Sequence, residues 1–304
     1  VKQYVRSVMG VVASSLLGSA ALFGQIRVVA VEPLPVDPAQ GWTMPQWSPD
    51  GKAVFFTDAG FNGIWRYGFA DHSMTTVTRD GGSGYGYRIN EEGTVVSYRR
   101  TLTGPRTVPR VQEAVEREWS SGRETVTESG SDVSIHPFLA APSSAPSGGS
   151  IQEGTPPPTL LGPTDDGIAL LRAGVQTVIR PLKHGHYIWC DLAPRGNRLV
   201  AYDMDRGTFT CDLDGTDLVF LGRRDGAVWT RSGRWLIYMK DVDDGERLVS
   251  SSICYVSPDG VVSGTLTSPS SMTALYPRCS PTEDKIVFAT AGGEILVMTF
   301  EERP

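Results

Sequence analysis

Apolar residues along this chain fall in short runs separated by turn-forming polar residues. Trp47-Ser48-Pro49-Asp50-Gly51-Lys52 leads directly into Ala53-Val54-Phe55-Phe56-Thr57, followed by a Gly-containing stretch, Ile64-Trp65-Arg66-Tyr67 and Thr75-Thr76-Val77-Thr78. Aromatic and β-branched residues at this density favour strands. Pro presets φ and Asp-Gly accepts positive φ, so Ser48 to Lys52 predicts a tight turn joining two strands.

The unit recurs. Ile89-Asn90-Glu91-Glu92-Gly93 precedes Thr94-Val95-Val96-Ser97-Tyr98, Leu192-Ala193-Pro194-Arg195-Gly196 precedes Arg198-Leu199-Val200-Ala201-Tyr202, and Trp229-Thr230-Arg231-Ser232-Gly233 precedes Trp235-Leu236-Ile237-Tyr238. A last copy, Cys279-Ser280-Pro281-Thr282-Glu283-Asp284-Lys285, carries one extra turn residue before Ile286-Val287-Phe288-Ala289. Gly51, Gly93, Gly196 and Gly233 are 42, 103 and 37 residues apart. A spacing of about 40 residues matches one four-stranded propeller blade. The wide gap leaves room for a degenerate third blade at roughly 133–183, with Ile168-Ala169-Leu170-Leu171 and Val175-Gln176-Thr177-Val178-Ile179 as strands. The expected fold is all-β: a six-bladed β-propeller of four-stranded antiparallel blades. The last blade ends with three strands after Glu294 to Phe300, while Ile26-Arg27-Val28-Val29-Ala30-Val31 is a strand with no blade before it. Pairing the two closes the ring and removes exposed sheet edges.

The first residues read as an address. Lys2 and Arg6 open an uncharged, largely apolar run from Val8 to Phe23, and Ser19, Ala20, Ala21 and Gly24 suit cleavage before Gln25. That is the pattern of a signal peptide, and the run is short for a membrane span of about 20 apolar residues. The organisation expected is a signal peptide over 1–24 and one propeller domain over 25–304, with a mobile Pro/Ser/Gly-rich loop at 140–158. The location expected is periplasmic or secreted, with no stable membrane insertion after cleavage.

Charge and chemistry narrow the function. The net charge is −6 with both signs scattered, which leaves no electrostatic footprint for nucleic acid. Cys190, Cys211, Cys254 and Cys279 allow three full pairings, but each lies in an apolar strand-like segment with no CxxC spacing, as expected of buried free thiols. Neither a Gly-x-Ser-x-Gly elbow nor an HExxH helix is present. His184-Gly185-His186 lacks a third metal ligand. The Asp-rich stretches at 203–205, 212–215 and 241–245 are turn formers without a full calcium ligand set. No cofactor and no metal are expected.

With these residues in view, Pro45-x-Trp47-Ser48-Pro49-Asp50-Gly51-Lys52 before an apolar strand is similar to the repeat of TolB-like propellers. Asp214-Gly215 and Ser257-Pro258-Asp259-Gly260 match the hairpin that joins the two outer strands in that repeat. The resemblance implies a periplasmic or secreted propeller acting through protein contacts at its channel mouth. It does not extend to the separate α/β domain that TolB carries.

In a propeller the strand before each signature turn lines the central channel. Aligning on the turns brings Thr43 and Met44, Tyr85 and Tyr87, Tyr187 and Trp189, Arg224 and Asp225, and Leu275 and Tyr276 to or near one mouth, with His136 from the third blade. The binding candidates there are Tyr85, Tyr87, His136, His186, Tyr187, Arg224, Tyr276 and Arg278. Alternation turns only about half of them inward. These residue types are enriched at binding hot spots, so the function expected is a protein-binding or scaffolding module whose partner is an envelope or secreted protein, or a glycan. The alternative is a propeller enzyme of glycosidase or lyase type, with Asp191, Asp225 and His186 as starting residues. An enzyme predicts a carboxylate of perturbed pKa in a concave pocket; a scaffold predicts an aromatic patch without one.

Overall fold

A computed structural model describes residues 25–102, 111–133, 158–165, 167–172 and 174–303. The segment read as a signal peptide, His136, and all but the last residue of the loop read at 140–158 lie outside that set.

Strand β1 (Ile26–Pro33) is followed by a short 3-10 turn, Pro38–Gln40, and then by six sheets. Blade 1 is β2 (Trp42–Trp47), β3 (Ala53–Asp58), β4 (Ile64–Gly68) and β5 (Ser73–Thr78). Blade 2 is β6 (Arg88–Ile89), β7 (Val95–Leu102), β8 (Val111–Glu118) and β9 (Glu124–Gly130). Blade 3 holds β10 (Thr159–Thr164), β11 (Gly167–Arg172) and β12 (Val175–Ile179). Blade 4 is β13 (Tyr187–Leu192), β14 (Arg198–Asp203), β15 (Gly207–Asp212) and β16 (Val219–Gly222). Blade 5 is β17 (Asp225–Trp229), β18 (Leu236–Asp243), β19 (Leu248–Val256) and β20 (Ser263–Thr265). Blade 6 is β21 (Ala274–Cys279), β22 (Lys285–Thr290) and β23 (Ile295–Glu302), completed by β1. The chain is a six-bladed propeller. It departs from six equal blades at the third, which has three strands among the described residues.

The signature turn works as its residues dictate. In blade 1 the Ser48 hydroxyl donates to Asp50 Oδ1 and accepts the Ala53 amide, Asp50 Oδ1 accepts the Lys52 amide, and the Gly51 amide donates to Ser48 O with φ at +70°. Asn90 takes over in blade 2, its Oδ1 accepting the Thr94 and Val95 amides at 2.8 Å each. The turns gather on one face of the ring: a Cβ at Gly93 would meet Pro49 at 3.3 Å, and one at Gly233 would meet Pro194 at 3.7 Å.

The core lies in the seams between blades, which explains why the second strands read as unbroken apolar runs. Val54 and Phe56 face blade 6 while Phe55 faces blade 2; Val287 and Ala289 face blade 1 while Ile286 and Phe288 face blade 5. A strand covered on both sides has no polar face to alternate with. Buried clusters fill five seams. None among the described residues fills the seam between blades 2 and 3, where β7 turns Ser97 and Arg99 away from the Val96–Tyr98 face.

The closing strand is seated. Seven residue pairs join β1 to β23 antiparallel, from Ile26↔Glu302 to Pro33↔Leu296, and Ile26 is 7% exposed within the seam between blades 5 and 6.

Candidate functional site: the central channel

One repeat register supplies the channel with its chemistry. Gln46, Arg88, Asp191 and Val228 each stand five residues before a turn glycine. They pair with Phe55, Ser97, Val200 and Ile237, and Arg278, paired with Val287, is the same position in blade 6. All five line a central channel of about 900 Å³, a volume in the range of small-molecule sites.

Two residues upstream of that register the inner strand kinks. Met44, Gly86, Gly226 and Tyr276 have φ of 49°, 70°, 59° and 55°, and register shifts mark β-bulges here in blades 1, 5 and 6. A bulge inserts a residue and re-aims its neighbours, so plain alternation misplaces side chains upstream of it.

The structure brings Tyr85, Tyr87 and Arg278 to the channel. Tyr85 is 56% exposed at the mouth opposite the signature turns, edge-on to Phe61 at 5.6 Å with the Arg99 guanidinium 5.7 Å from its ring centre. Tyr87 is wall rather than mouth: its hydroxyl donates to Met44 O at 2.9 Å and its carbonyl accepts Gln46 Nε2 at 3.0 Å, tying blade 2 to blade 1.

Four of the binding candidates do not line the channel. Tyr187 packs in the seam of blades 3 and 4, its hydroxyl accepting the Leu182 amide at 2.8 Å. His186 turns outward, Nδ1 lying 3.3 Å from Asp205 Oδ2. Arg224 lies 4.7 Å from the Tyr238 ring centre and donates through Nε to Leu221 O. Tyr276 occupies the bulge and packs on the core between blades 1 and 6, its amide 3.0 Å from Met239 Sδ. Asp225, from the enzyme alternative, lies outside the channel lining, its carboxyl pushed up by burial and by Asp241. The Asp-rich turns spend their carboxylates on backbone: Asp244 Oδ1 accepts the Glu246 and Arg247 amides. No cluster of His, Cys, Asp or Glu suited to a metal occurs among the described residues.

Sequence reasoning missed Arg88, Ile188 and Trp229 as channel residues, while Trp189 reaches the channel as expected. The signal was present: counting five residues back from each turn glycine finds Arg88 and Asp191 directly. Ile188 repeats the register of Tyr85, three residues nearer the mouth, and both are exposed.

At the deep register, alternate blades bring together Tyr87 and Arg88, Cys190 and Asp191, and Arg278 and Cys279. Burial pushes the Asp191 carboxyl above its usual value, opposed by the Trp229 amide, the Arg278 charge and the Leu192 amide. Its Oδ2 accepts from Trp229 N at 3.1 Å and its Oδ1 from Leu192 N at 3.0 Å. Burial lowers Arg278 against the favourable field of Asp191, and burial lowers Arg88. The Cys190 thiol is pushed up to about 12 by burial and by Asp191, and Cys279 is also raised by burial. All four cysteines are free thiols.

The signature tryptophans lock the same ring. Trp47 Nε1 donates to Arg278 O at 3.0 Å across the closing seam, and Trp229 Nε1 to Asp191 O at 3.4 Å. Each carbonyl belongs to the channel register of the preceding blade, so the channel residues are fixed by the ties that space the blades.

Fold and site together define a six-bladed propeller with a ligand-sized central channel. No protein-family model matches the chain, and no curated protein matches it. Among solved structures it is similar to an oligogalacturonate lyase from Vibrio parahaemolyticus, with 13% identity, a TM-score of 0.45, and coverage of 84% of this chain and 76% of that one. A manganese complex of oligogalacturonate lyase gives 13%, 0.44, 85% and 76%. A protein assigned as TolB from Agrobacterium tumefaciens gives 16%, 0.36, 86% and 90%.

Proposed function

We propose that this chain is an exported binding module of the cell envelope that receives an extended segment of a protein partner in its central channel. The observation that carries this reading is the graded lining of one channel: exposed Tyr85 and Ile188 at the mouth, and Arg88, Asp191 and Arg278 deeper. Apolar walls with a few placed polar groups are what a binding site uses to combine affinity with orientation. The deep and mouth registers are three residues apart, which puts about 10 Å between them along a strand, enough to engage several residues of an extended chain. Export rests on the basic, then apolar, then small-residue pattern of residues 1–24.

The test is affinity capture from the envelope fraction of the source cell, comparing the native chain with a Tyr85→Ala/Ile188→Ser variant. Both side chains are more than half exposed, so the variant is expected to melt like the parent and to lose the partner. Equal capture by a folded variant refutes the channel as the binding site.

A second reading has a specific observation behind it. Asp191 is a carboxylate of raised pKa on the wall of a concave pocket, the feature that the enzyme alternative predicts. Against it, both Asp191 oxygens already accept backbone amides, and Asp191 is the only carboxylate residue lining the described channel, whereas a glycosidase of the usual kind needs two. Turnover of any glycan by the native chain, abolished in Asp191→Asn, would decide for the enzyme.

A further inference from the structure

The geometry points to a clamp for an oxyanion, formed by the Arg88 and Arg278 guanidinium groups, at the deep register of the channel. The inference rests on the channel as the binding site but not on the nature of the partner.

Two guanidinium groups line the same channel without a carboxylate partner. The Arg278 guanidinium makes one hydrogen bond, from Nη1 to the carbonyl of its own neighbour Pro277 at 3.0 Å. The Arg88 guanidinium makes no hydrogen bond and no ion pair among the described residues, and its Nη2 lies 3.8 Å from where a Cβ would stand on Gly162 of the neighbouring blade 3. Most other arginines of the blades are engaged: Arg100 with Glu113 and Glu124, Arg198 with Asp217, Arg231 with Asp284. Asp191 feels the Arg278 charge, yet it forms no ion pair with it and spends both oxygens on backbone amides.

Arg88 of blade 2 and Arg278 of blade 6 line the same channel as Asp191 of blade 4, so the two cations share one enclosed space. Both feel desolvation, and Arg88, which has no ion pair, is a partly buried cation whose burial is costly until a counter-charge arrives. A planar guanidinium offers a fork of donors that fits two oxygens of a carboxylate or phosphate. Arg231 at the channel wall is paired with Asp284, which leaves Arg88 and Arg278 against Asp191, so the lining is cationic in a chain of net charge −6, and a narrow channel focuses that field on an entering anion. The ligand therefore carries an oxyanion at its leading end and an apolar or aromatic portion that meets Tyr85 and Ile188 at the mouth.

The test is calorimetric titration of the full chain at low ionic strength with succinate, inorganic phosphate and succinamide, the neutral counterpart of succinate. At least one oxyanion is expected to bind ten times more tightly than succinamide or better. Arg88→Gln and Arg278→Gln are each expected to weaken it about ten- to a hundredfold, the loss of a charge-assisted hydrogen bond, with Arg88→Lys recovering part. The tighter of the two oxyanions identifies a carboxylate-bearing or a phosphate-bearing ligand. If Arg278→Gln does not fold, Arg88→Gln, at a partly exposed position, decides alone. No measurable oxyanion binding at millimolar concentration, succinamide binding as tightly as succinate, or unchanged binding in folded Gln variants overturns the clamp. Partner capture lost in Tyr85→Ala/Ile188→Ser but retained in Arg88→Gln leaves the channel reading standing and removes the clamp. Oxyanion binding without any captured protein does the reverse.

Discussion

The seating of β1 against β23 makes a measurable claim about how the ring holds together. Ile26 is 7% exposed and packs with Trp235, Tyr255 and Phe300 in the seam between blades 5 and 6. Val29, three residues on, is 50% exposed beside the register shift in the same strand. Cutting a buried isoleucine back to alanine costs about 2–5 kcal/mol. At an outermost strand the neighbours relax partly into the space, so Ile26→Ala is expected at about 2–3 kcal/mol, and Val29→Ala within about 0.5 kcal/mol. With a urea m-value near the top of the usual range, about 3 kcal/mol/M, the first corresponds to a fall in midpoint of about 0.7–1 M. The assay is equilibrium urea unfolding of both variants followed by tryptophan fluorescence, with unchanged m as the check that the states compared are the same. If the closing strand frays in solution, the two substitutions shift the midpoint by the same small amount, and the argument that β1 seals the ring fails.

Gly86 sits at the channel bulge with φ of 70° and open space where a Cβ would go. Gly86→Ala should therefore cost about 1–2 kcal/mol from backbone conformation alone, read as a denaturation midpoint; no shift would mean that the bulge is not left-handed in solution. Asp191 titrates above its ordinary value in the folded chain because burial disfavours its charge, so its contribution to stability is full below the unfolded value of 3.8 and is lost as pH rises through the folded value. The stability of Asp191→Asn relative to the parent should accordingly improve from pH 4 to pH 7, and a relative decline over that interval would refute the assignment. Burial holds the Cys190 thiol up to about 12 and keeps Cys279 protonated, so both should resist iodoacetamide at pH 8 until denaturant is added; rapid labelling of native protein, mapped by mass spectrometry, would contradict it.

Repetition made the fold legible from residues alone. The turns Ser48-Pro49-Asp50-Gly51 and Asn90-Glu91-Glu92-Gly93 encode their own hydrogen bonds, and second strands apolar on both faces announce burial between two neighbours, so turns, strand order and closure by the N-terminal strand followed from local chemistry and spacing. The third blade was the weakest in sequence, lacking a signature turn, and is the one that departs from the four-stranded pattern. The site was legible only in part. Tyr85, Tyr87 and Arg278 reach the channel, whereas Tyr187 and Tyr276 enter seams between blades because the bulge before the channel register breaks strict alternation, a geometry that depends on how each inner strand meets its neighbour. Sequence thus determined that six similar sheets would form and where each would turn, since those outcomes depend on residues close together along the chain. Only the tertiary structure decided which side chains share the channel. Arg88, Asp191 and Arg278 come from blades 2, 4 and 6, and what brings them together is ring closure with its tryptophan ties, Trp47 to Arg278 O and Trp229 to Asp191 O, contacts between residues too far apart in sequence for any local pattern to reveal.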